Sequence, residues 1–345
     1  MSKKQPAEFD PNGVGLDNGH FIGLPFTEET AKVVLLSIPW DLTVSYADGT
    51  ATGPENILQA STQLDLYDAD IPDAWKTGIY LKPSPGKWLK LNRQLRNKSI
   101  SYIRFLEEGG KLENAPDMQL TLNELNDACD TLRLWVRKKT NLLLDAGKKV
   151  GVVGGEHSVP LGFLETLAER EGPFGILQID AHMDLRKAYE GFTYSHASIF
   201  RNALEIPQIE KLVQVGIRDA CEEEWKFVEA SEGRVVVFPD QELQEITFEG
   251  QTWESICDEI LVHLPQKVYI SFDIDGLDPK LCPNTGTPVP GGLDLPQAFY
   301  LLKKLMLSGR QLIGFDLSEV AGSGNEWDGN VGARILYKLA NWLGQ

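Results

Sequence analysis

Seven short apolar segments recur along the chain, and they constrain its fold more than any other feature of the sequence. Most are nearly continuous apolar runs, which is typical of parallel strands that helices cover on both faces. They occupy residues 33–38, 149–153, 174–179, 212–216, 234–238, 267–273 and 311–316. Because helix-length stretches lie between them, the pattern predicts a doubly wound α/β fold with a mostly parallel central sheet.

Two of the intervening helices carry end signals. The first is predicted from about 122 to 146, because Thr121 and Glu124 have capping-box spacing and Gly147 follows the last turn. The second is predicted from about 296 to 307.

The charge balance narrows the possible partners. The 345 residues include 33 Lys and Arg against 50 Asp and Glu, a net charge of −17. This excess argues against nucleic acid, whose phosphates need a basic face, and is compatible with a cationic substrate or metal ions. No apolar run approaches the length of a membrane span, and residues 1–13 lack the apolar core of a signal peptide.

Cysteine usage indicates the redox compartment. The four cysteines are far apart and form no C-x-x-C pair; they are Cys129, Cys221, Cys257 and Cys282. Free thiols in a reducing cytoplasm are therefore expected.

One segment differs from the rest of the chain in charge. Residues 82–105 carry seven Lys and Arg and no Asp or Glu. They predict an inserted segment at about 82–120, which is either a solvated insertion or a lid or subunit contact. Residues 1–30 are interpreted as an N-terminal extension and residues 31–345 as one catalytic domain.

Acidic side chains and histidines collect at the carboxyl ends of three predicted strands. The candidate ligands are His157, Asp180, His182, Asp184, Asp273 and Asp275. Those after the strand at 174–179 fall on alternate residues, so an extended backbone points them to one face. Because open α/β sheets bind ligands at the carboxyl ends of strands, we expect three adjacent strand ends to form one site.

Four carboxylates and two imidazoles in one place require cations, because burying so much unpaired negative charge is very costly. The mixed oxygen and nitrogen set suits Mn²⁺ and also accommodates Ni²⁺, Co²⁺, Fe²⁺ or Zn²⁺. Six side-chain ligands are too many for one catalytic ion with open coordination positions. Two divalent ions about 3.5–4 Å apart, sharing bridging carboxylates and a hydroxide, fit better.

These motifs resemble those of the ureohydrolase family of arginases, agmatinases and formimidoylglutamases. They read GGEHS at 154–158, DAHMD at 180–184 and SFDIDGLDP at 271–279, and the similarity spans roughly residues 30–340. The resemblance implies a three-layer α/β/α arginase-like fold and a binuclear manganese-type centre. It also implies hydrolysis of a guanidino or formimino C–N bond, and a homo-oligomer is expected, either a trimer or a hexamer.

By the same resemblance, each motif residue receives a role. One ion is bound by His157, Asp180, Asp184 and Asp273, and the other by Asp180, His182, Asp273 and Asp275, so that Asp180 and Asp273 bridge. Glu319 resembles the glutamate that binds the guanidinium group. His196, in the sequence SHAS at 195–198 where the family usually has SHGT, resembles the histidine that protonates the leaving group.

Three further residues bear on the substrate. Arg186 stands where arginases show an Asn, which disfavours L-arginine. It either pairs with a substrate carboxylate, as in formimidoylglutamases, or pairs within the protein with a local acid such as Glu190. Trp40 and Tyr46 either narrow the pocket around a small guanidine or are core aromatics.

The sequence favours an agmatinase-like hydrolase that releases urea and an amine, because formimidoylglutamases usually lack the histidine seen here as His196. Hydrolysis of free guanidine and formimidoylglutamase activity are the alternative reactions. A catalytically inactive regulatory subunit is the alternative outside enzymes, but such a protein should have lost ligands and all six are present.

Overall fold

An eight-stranded sheet organises the computed structural model, which describes residues 9–345. The strands are β1 (Val33–Ile38), β2 (Ile79–Leu81), β3 (Lys149–Gly154), β4 (Phe174–Ile179), β5 (Ile209–Ile217), β6 (Val235–Pro239), β7 (Lys267–Asp273) and β8 (Gln311–Ser318). Their order is β2-β1-β3-β8-β7-β4-β5-β6, and each pairing between described strands is parallel. The predicted α/β fold with a mostly parallel sheet is therefore confirmed.

Strand prediction succeeded where a strand is buried on both faces. The bounds of β1, β4 and β7 are those predicted, and four other strands differ by one to three residues. Strand β2 was not predicted, because three residues at a sheet edge carry too little periodicity to be recognised.

Ten helices are described within residues 9–345. They are α1 (Gly53–Ala60), α2 (Gly86–Glu107), α3 (Pro116–Asp145), α4 (Leu161–Glu171), α5 (Ile199–Ala203), α6 (Glu222–Ala230), α7 (Asp240–Phe248), α8 (Trp253–Leu261), α9 (Leu295–Leu307) and α10 (Glu326–Leu343). The predicted start of α3 is wrong. Proline favours the first turn and α3 begins at Pro116, so Thr121 lies inside the helix and donates to the Asp117 carbonyl.

Helices cover both faces of the sheet. Along β1, Val33 and Leu35 pack on the side that holds α1 and α7–α10, whereas Val34 and Leu36 pack on the side that holds α2–α6. This alternation with a period of two produces three layers, as the α/β/α prediction requires.

The basic segment is packed against the core and is not solvated on all sides, while its status as an insertion stays a prediction. It forms most of α2, in which Trp88, Leu95, Tyr102 and Ile103 are buried against the core. Lysines and arginines occupy much of its outer face, so the charge pattern reflects amphipathicity. A role of α2 in a lid or subunit contact stays a prediction.

The predicted N-terminal extension is partly built into the core. Phe21, Ile22 and Leu24 are buried there, while residues 1–8 lie outside the described part. The four cysteines are free thiols, as expected. Among the described helices, none combines the length and the apolar character that a membrane crossing requires.

Candidate metal centre

The site lies where four neighbouring strands end. Strands β3, β8, β7 and β4 are adjacent in the sheet, and the candidate ligands follow β3, β4 and β7. The expectation of three adjacent strand ends is wrong in this detail, because β8 lies between β3 and β7. Strand β8 adds Asp316 and leads into Glu319, so the site draws on a fourth strand.

His157 directs one ring nitrogen at three carboxylates. Its Nδ1 lies 3.0 Å from Asp180 Oδ2, 3.2 Å from Asp184 Oδ2 and 3.2 Å from Asp273 Oδ2. Within residues 9–345 this buried nitrogen nevertheless has no partner aligned for a hydrogen bond. A ring nitrogen that lies within 3.2 Å of three carboxylate oxygens suits a cation shared among them, and in the absence of a cation these carboxylates outweigh burial and raise the pKa of His157 well above its usual value.

The other ring nitrogen explains why Nδ1 is available. Ser271 Oγ donates to Asp316 Oδ2 at 2.7 Å, which uses its only proton. It therefore accepts from His157 Nε2 at 2.9 Å, so that Nε2 carries a ring proton and Nδ1 is the nitrogen left to face the carboxylates or a cation. Such support of a ligand histidine by a neighbouring polar group is general in metal sites.

A second cluster shares Asp180 with the first. His182 Nδ1 lies 3.1 Å from Asp275 Oδ2 and 3.6 Å from Asp180 Oδ1. Asp180 thus presents one oxygen to each histidine, and the two clusters that could each hold an ion are His157, Asp180 and Asp273, and Asp180, His182 and Asp275. The predicted bridging by Asp180 fits this geometry, whereas bridging by Asp273 stays a prediction.

The electrostatics of the site favour cation binding. Burial, followed by the charge of Asp275, raises the pKa of Asp273 well above its usual range. Burial, followed by the charge of Asp180, raises the pKa of Asp184 to about 7. Buried carboxylates whose ionisation is this unfavourable are stabilised by divalent ions, so the residues present fit the implied metal pair.

Two site residues have a strained backbone. Asp184 has φ 55° and Glu319 has φ 61°, both in the left-handed region that side chains other than glycine rarely adopt. Glu319 Oε1 accepts from the His157 backbone N–H at 2.9 Å. Its buried Oε2 lacks a hydrogen-bond partner in the described part of the chain, and is therefore available to a donor such as a guanidinium N–H.

His196 lies beside a small cavity next to the second cluster. The cavity has a volume of about 140 Å³ and is lined by residues including His182, Asp184, Arg186, Tyr189, His196, Asp219 and Glu224. Burial, and then the charges of His182 and His157, lower the pKa of His196 to about 3. The imidazole is therefore neutral at physiological pH and can accept a proton.

Arg186 also lines the cavity, and it faces a local acid as predicted, although that acid is Glu224 and not the Glu190 given as an example. Its Nε lies 3.8 Å from Glu224 Oε2, and its guanidinium lies 4.9 Å from the ring centre of Tyr189. Glu224 is buried, and its carboxylate accepts the backbone N–H groups of Leu185 and Cys221, which offsets the cost of burying it. Arg186 is thus engaged within the protein through Glu224 rather than through Glu190.

The two predicted aromatic residues lie elsewhere. Trp40 is fully buried and packs edge-on against Trp88, so it is a core residue and a pocket-lining role is wrong. Tyr46 is 79% exposed and does not line the cavity, although its neighbour Ser45 does. Tyr46 is therefore neither a core aromatic nor a wall of this pocket.

Sequence reasoning missed several residues that support the site. They are Thr43, Glu156, Tyr189, Glu224 and Ser271. Glu156 and Ser271 lie inside the quoted motifs, where a buried polar residue next to a ligand is a usable signal. Thr43 and Glu224 reach the site only through folding, and their local sequence gives no such signal.

Comparisons with known proteins agree with this geometry. A family model described as "Arginase family" matches residues 31–340, and this chain belongs to the arginase family. The N(1)-aminopropylagmatine ureohydrolase of Thermus thermophilus is 32% identical over 323 residues, covering 91% of this chain and 94% of that protein. The agmatinase of Bacillus anthracis is 29% identical, covering 85% and 84%.

Solved structures confirm the arginase-like fold. The agmatine ureohydrolase of Thermoplasma volcanium aligns with a TM-score of 0.71 at 22% identity, covering 95% of each chain. The proclavaminate amidinohydrolase of Streptomyces clavuligerus aligns with a TM-score of 0.70 at 24% identity, covering 96% of this chain and 99% of that one. The predicted family resemblance is thereby confirmed, and this chain is an arginase-family hydrolase.

Proposed function

We propose that this protein is a metal-dependent hydrolase that cleaves a guanidino C–N bond and releases urea and an amine. The observation that carries the proposal is His157 Nδ1, which faces three buried carboxylate oxygens beside a cavity. Relatives named agmatinase and N(1)-aminopropylagmatine ureohydrolase support the guanidino branch.

The five residues of the two clusters, together with Asp184, would hold two divalent ions, with Mn²⁺ the first choice and Ni²⁺ also suited. When bound, such a pair lowers the pKa of water and makes hydroxide available at neutral pH. This supplies the nucleophile that a resonance-stabilised guanidinium carbon otherwise lacks.

The surrounding residues perform the remaining steps. Glu319 Oε2 accepts a guanidinium N–H and balances its positive charge. Neutral His196 takes a proton from the nucleophile and returns it to the nitrogen that leaves when the C–N bond breaks. The guanidino carbon gains the oxygen and becomes the carbon of urea.

The cavity favours a cationic or absent substrate tail over an anionic one. Arg186 faces Glu224 and stacks on Tyr189, so its charge is partly balanced within the protein. Asp219 adds an exposed carboxylate to the same wall, which suits a terminal amine such as that of agmatine. The volume of about 140 Å³ keeps free guanidine as the second candidate, since it needs no room for a tail.

An activity screen tests the proposal. Protein loaded with Mn²⁺ or with Ni²⁺ is offered agmatine, 4-guanidinobutyrate, free guanidine, arginine and formiminoglutamate, and urea and formamide are measured. We expect urea from agmatine or from guanidine. Formamide from formiminoglutamate, or no product from any compound, would contradict the proposal.

Assembly and location are part of the same proposal. We infer a homo-oligomer, a trimer or a hexamer, and from the free thiols a cytoplasmic location. Light scattering coupled to size-exclusion chromatography checks the assembly, and a mass equal to the single chain would contradict it.

A further inference from the structure

The Thr43 hydroxyl connects a buried carboxylate to the candidate proton carrier. Thr43 Oγ1 lies 2.9 Å from Glu156 Oε1 and 3.3 Å from His196 Nδ1. The Thr43 backbone N–H donates to Glu156 Oε2 at 2.7 Å. Thr43 therefore binds both oxygens of Glu156 and presents the same hydroxyl to the imidazole.

The donors around Glu156 set the direction of the Thr43 hydroxyl proton. Glu156 is fully buried, and its carboxylate faces three donors: the N–H and O–H of Thr43 and the O–H of Ser158. The single Thr43 hydroxyl proton is therefore directed at Glu156. Its oxygen can then only accept, and it accepts from the His196 backbone N–H at 3.3 Å and is placed to accept from His196 Nδ1. The Ser195 hydroxyl, which accepts from the Ala197 N–H, lies slightly farther from the same ring nitrogen, at 3.4 Å.

The loop that carries Thr43 is held from the side of α2. Asp41 exchanges two hydrogen bonds with Asn92, since its N–H donates to Asn92 Oδ1 at 3.0 Å and its Oδ1 accepts from Asn92 Nδ2 at 2.6 Å. The next carbonyl, that of Leu42, accepts from Ser99 Oγ at 2.6 Å and from Arg96 at 3.1 Å. These four hydrogen bonds involve the two residues immediately before Thr43, so α2 holds Thr43 in place independently of its contact with His196.

We propose that Thr43 and Glu156 are positioning residues that hold His196 in the tautomer with the proton on Nδ1, leaving Nε2 unprotonated. The catalytic part of this inference rests on the proposed function, because it concerns the proton that His196 carries. A lone pair on Nε2 can accept the proton released by the nucleophile. The resulting imidazolium then donates Nδ1–H toward Thr43 and the Glu156 carboxylate, which stabilises its charge until Nε2 passes the proton to the leaving nitrogen.

The ring tautomer can be measured directly. Full-length protein with ¹⁵N-labelled histidine rings is loaded with diamagnetic Zn²⁺ and examined by two-bond ¹H–¹⁵N correlation at mildly alkaline pH. A His196→Gln sample identifies the signal. We expect wild-type His196 to show a protonated Nδ1 and an unprotonated Nε2.

Three variants test the cause of this tautomer. Thr43→Ser keeps the hydroxyl and should keep the Nδ1–H pattern, whereas Thr43→Val removes the hydroxyl and should lose it. Glu156→Gln can turn its amide donor toward Thr43 Oγ1, which frees the hydroxyl proton for His196 and should shift the ring toward Nε2–H. Thr131→Val, at an exposed position of α3, is the control that should change nothing.

Kinetics on the same variants link the tautomer to turnover. Thr43→Val should lower kcat by about 10²-fold with KM little changed, because proton transfer contributes about 10²–10⁴-fold to rates, and Thr43→Ser should restore most of it. An Nε2–H tautomer in the wild type, or an Nδ1–H pattern unchanged in both Thr43→Val and Glu156→Gln, would overturn the proposal. If the wild type releases no urea, the proposed function fails, while the spectra still decide the positioning role.

Discussion

The Ser271 hydroxyl accepts from His157 Nε2 and donates to Asp316, so this residue fixes the tautomer of a candidate ligand without being one itself. Ser271→Ala should lower the affinity for divalent ions by about 10–100-fold, the usual cost of losing such a supporting group. Isothermal titration of metal-free protein measures the effect. Ser255→Ala, on the exposed face of α8, is the matched control, and equal affinities in the two variants would contradict the role of Ser271.

The role of Arg186 determines whether the cavity selects substrates by the charge of their tail. Because its contact with Glu224 is long and partly exposed, it is worth about 0.2–1 kcal/mol, or less than about fivefold in affinity. Arg186→Ala should therefore leave the ranking of substrates unchanged, with KM values shifted by no more than this factor. A selective loss for a carboxylate-bearing substrate such as 4-guanidinobutyrate would show instead that Arg186 binds an anionic tail.

His196 also predicts a pH dependence of stability. Burial lowers the pKa of His196, so its imidazole stays unprotonated in the folded protein over a range of mildly acidic pH. In the unfolded chain the same imidazole has an ordinary pKa of about 6.5 and takes up a proton in that range. The stabilising contribution is present above pH 6.5 and is lost as pH falls through the lowered pKa of about 3.

Thermal unfolding of metal-free protein at pH 8 and pH 5 checks this sign. The comparison is with His196→Gln, which cannot titrate at this position and is also metal-free. Relative to that variant, the wild type should lose stability on acidification. A difference in melting temperature that is the same at both pH values would contradict the neutral, buried state of His196.

The turn that leads out of β3 requires a close approach between two segments. The Gly155 N–H donates to Ile38 O, and a Cβ at residue 155 would lie 1.9 Å from the Trp40 carbonyl oxygen. The glycine of the GGEHS motif is thus needed for space, and it lets β3 deliver His157 to the site. Without it, the β1 and β3 loops must separate.

Gly155→Ala should therefore lower the free energy of unfolding by about 1–3 kcal/mol or more, the cost of overpacking, and should displace His157. Chemical denaturation measures it. Gly86→Ala is the control, since a Cβ there meets no atom within 4 Å of the part of the chain that is described. Equal stability of the two variants would exclude the steric account.

The strands and helices differ in how well their bounds could be predicted from the sequence. Strands such as β1 and β4 were recognised because burial on both faces leaves a continuous apolar run. The start of α3 was misplaced because the Thr121 pattern satisfies the capping rule, while Pro116 further upstream allows the helix to begin earlier. Local signals of similar strength compete, and packing of the whole helix selects between them.

Across the whole molecule, sequence located the candidate ligands but not the residues that contact them and His196. The candidate ligands lie within three short motifs, so their spacing and the parallel sheet suffice to bring them together. Thr43 and His196 are 153 residues apart and meet only because the loop after β1 is held by α2. Contacts of this kind depend on tertiary packing and leave no periodic trace in the sequence.

The central claim is that two ions held by these clusters hydrolyse a guanidino group. Its most direct test is a titration of metal-free protein with Mn²⁺, in which urea release from the best substrate of the screen is measured against ions added per chain. We expect activity to rise until two equivalents are bound and then to stay constant. The Asp273→Ala variant should remain inactive at every metal concentration. The Asp278→Ala variant, whose substitution lies outside the clusters, should behave as the wild type. Activity that saturates at one equivalent, or that survives intact in Asp273→Ala, would contradict the account.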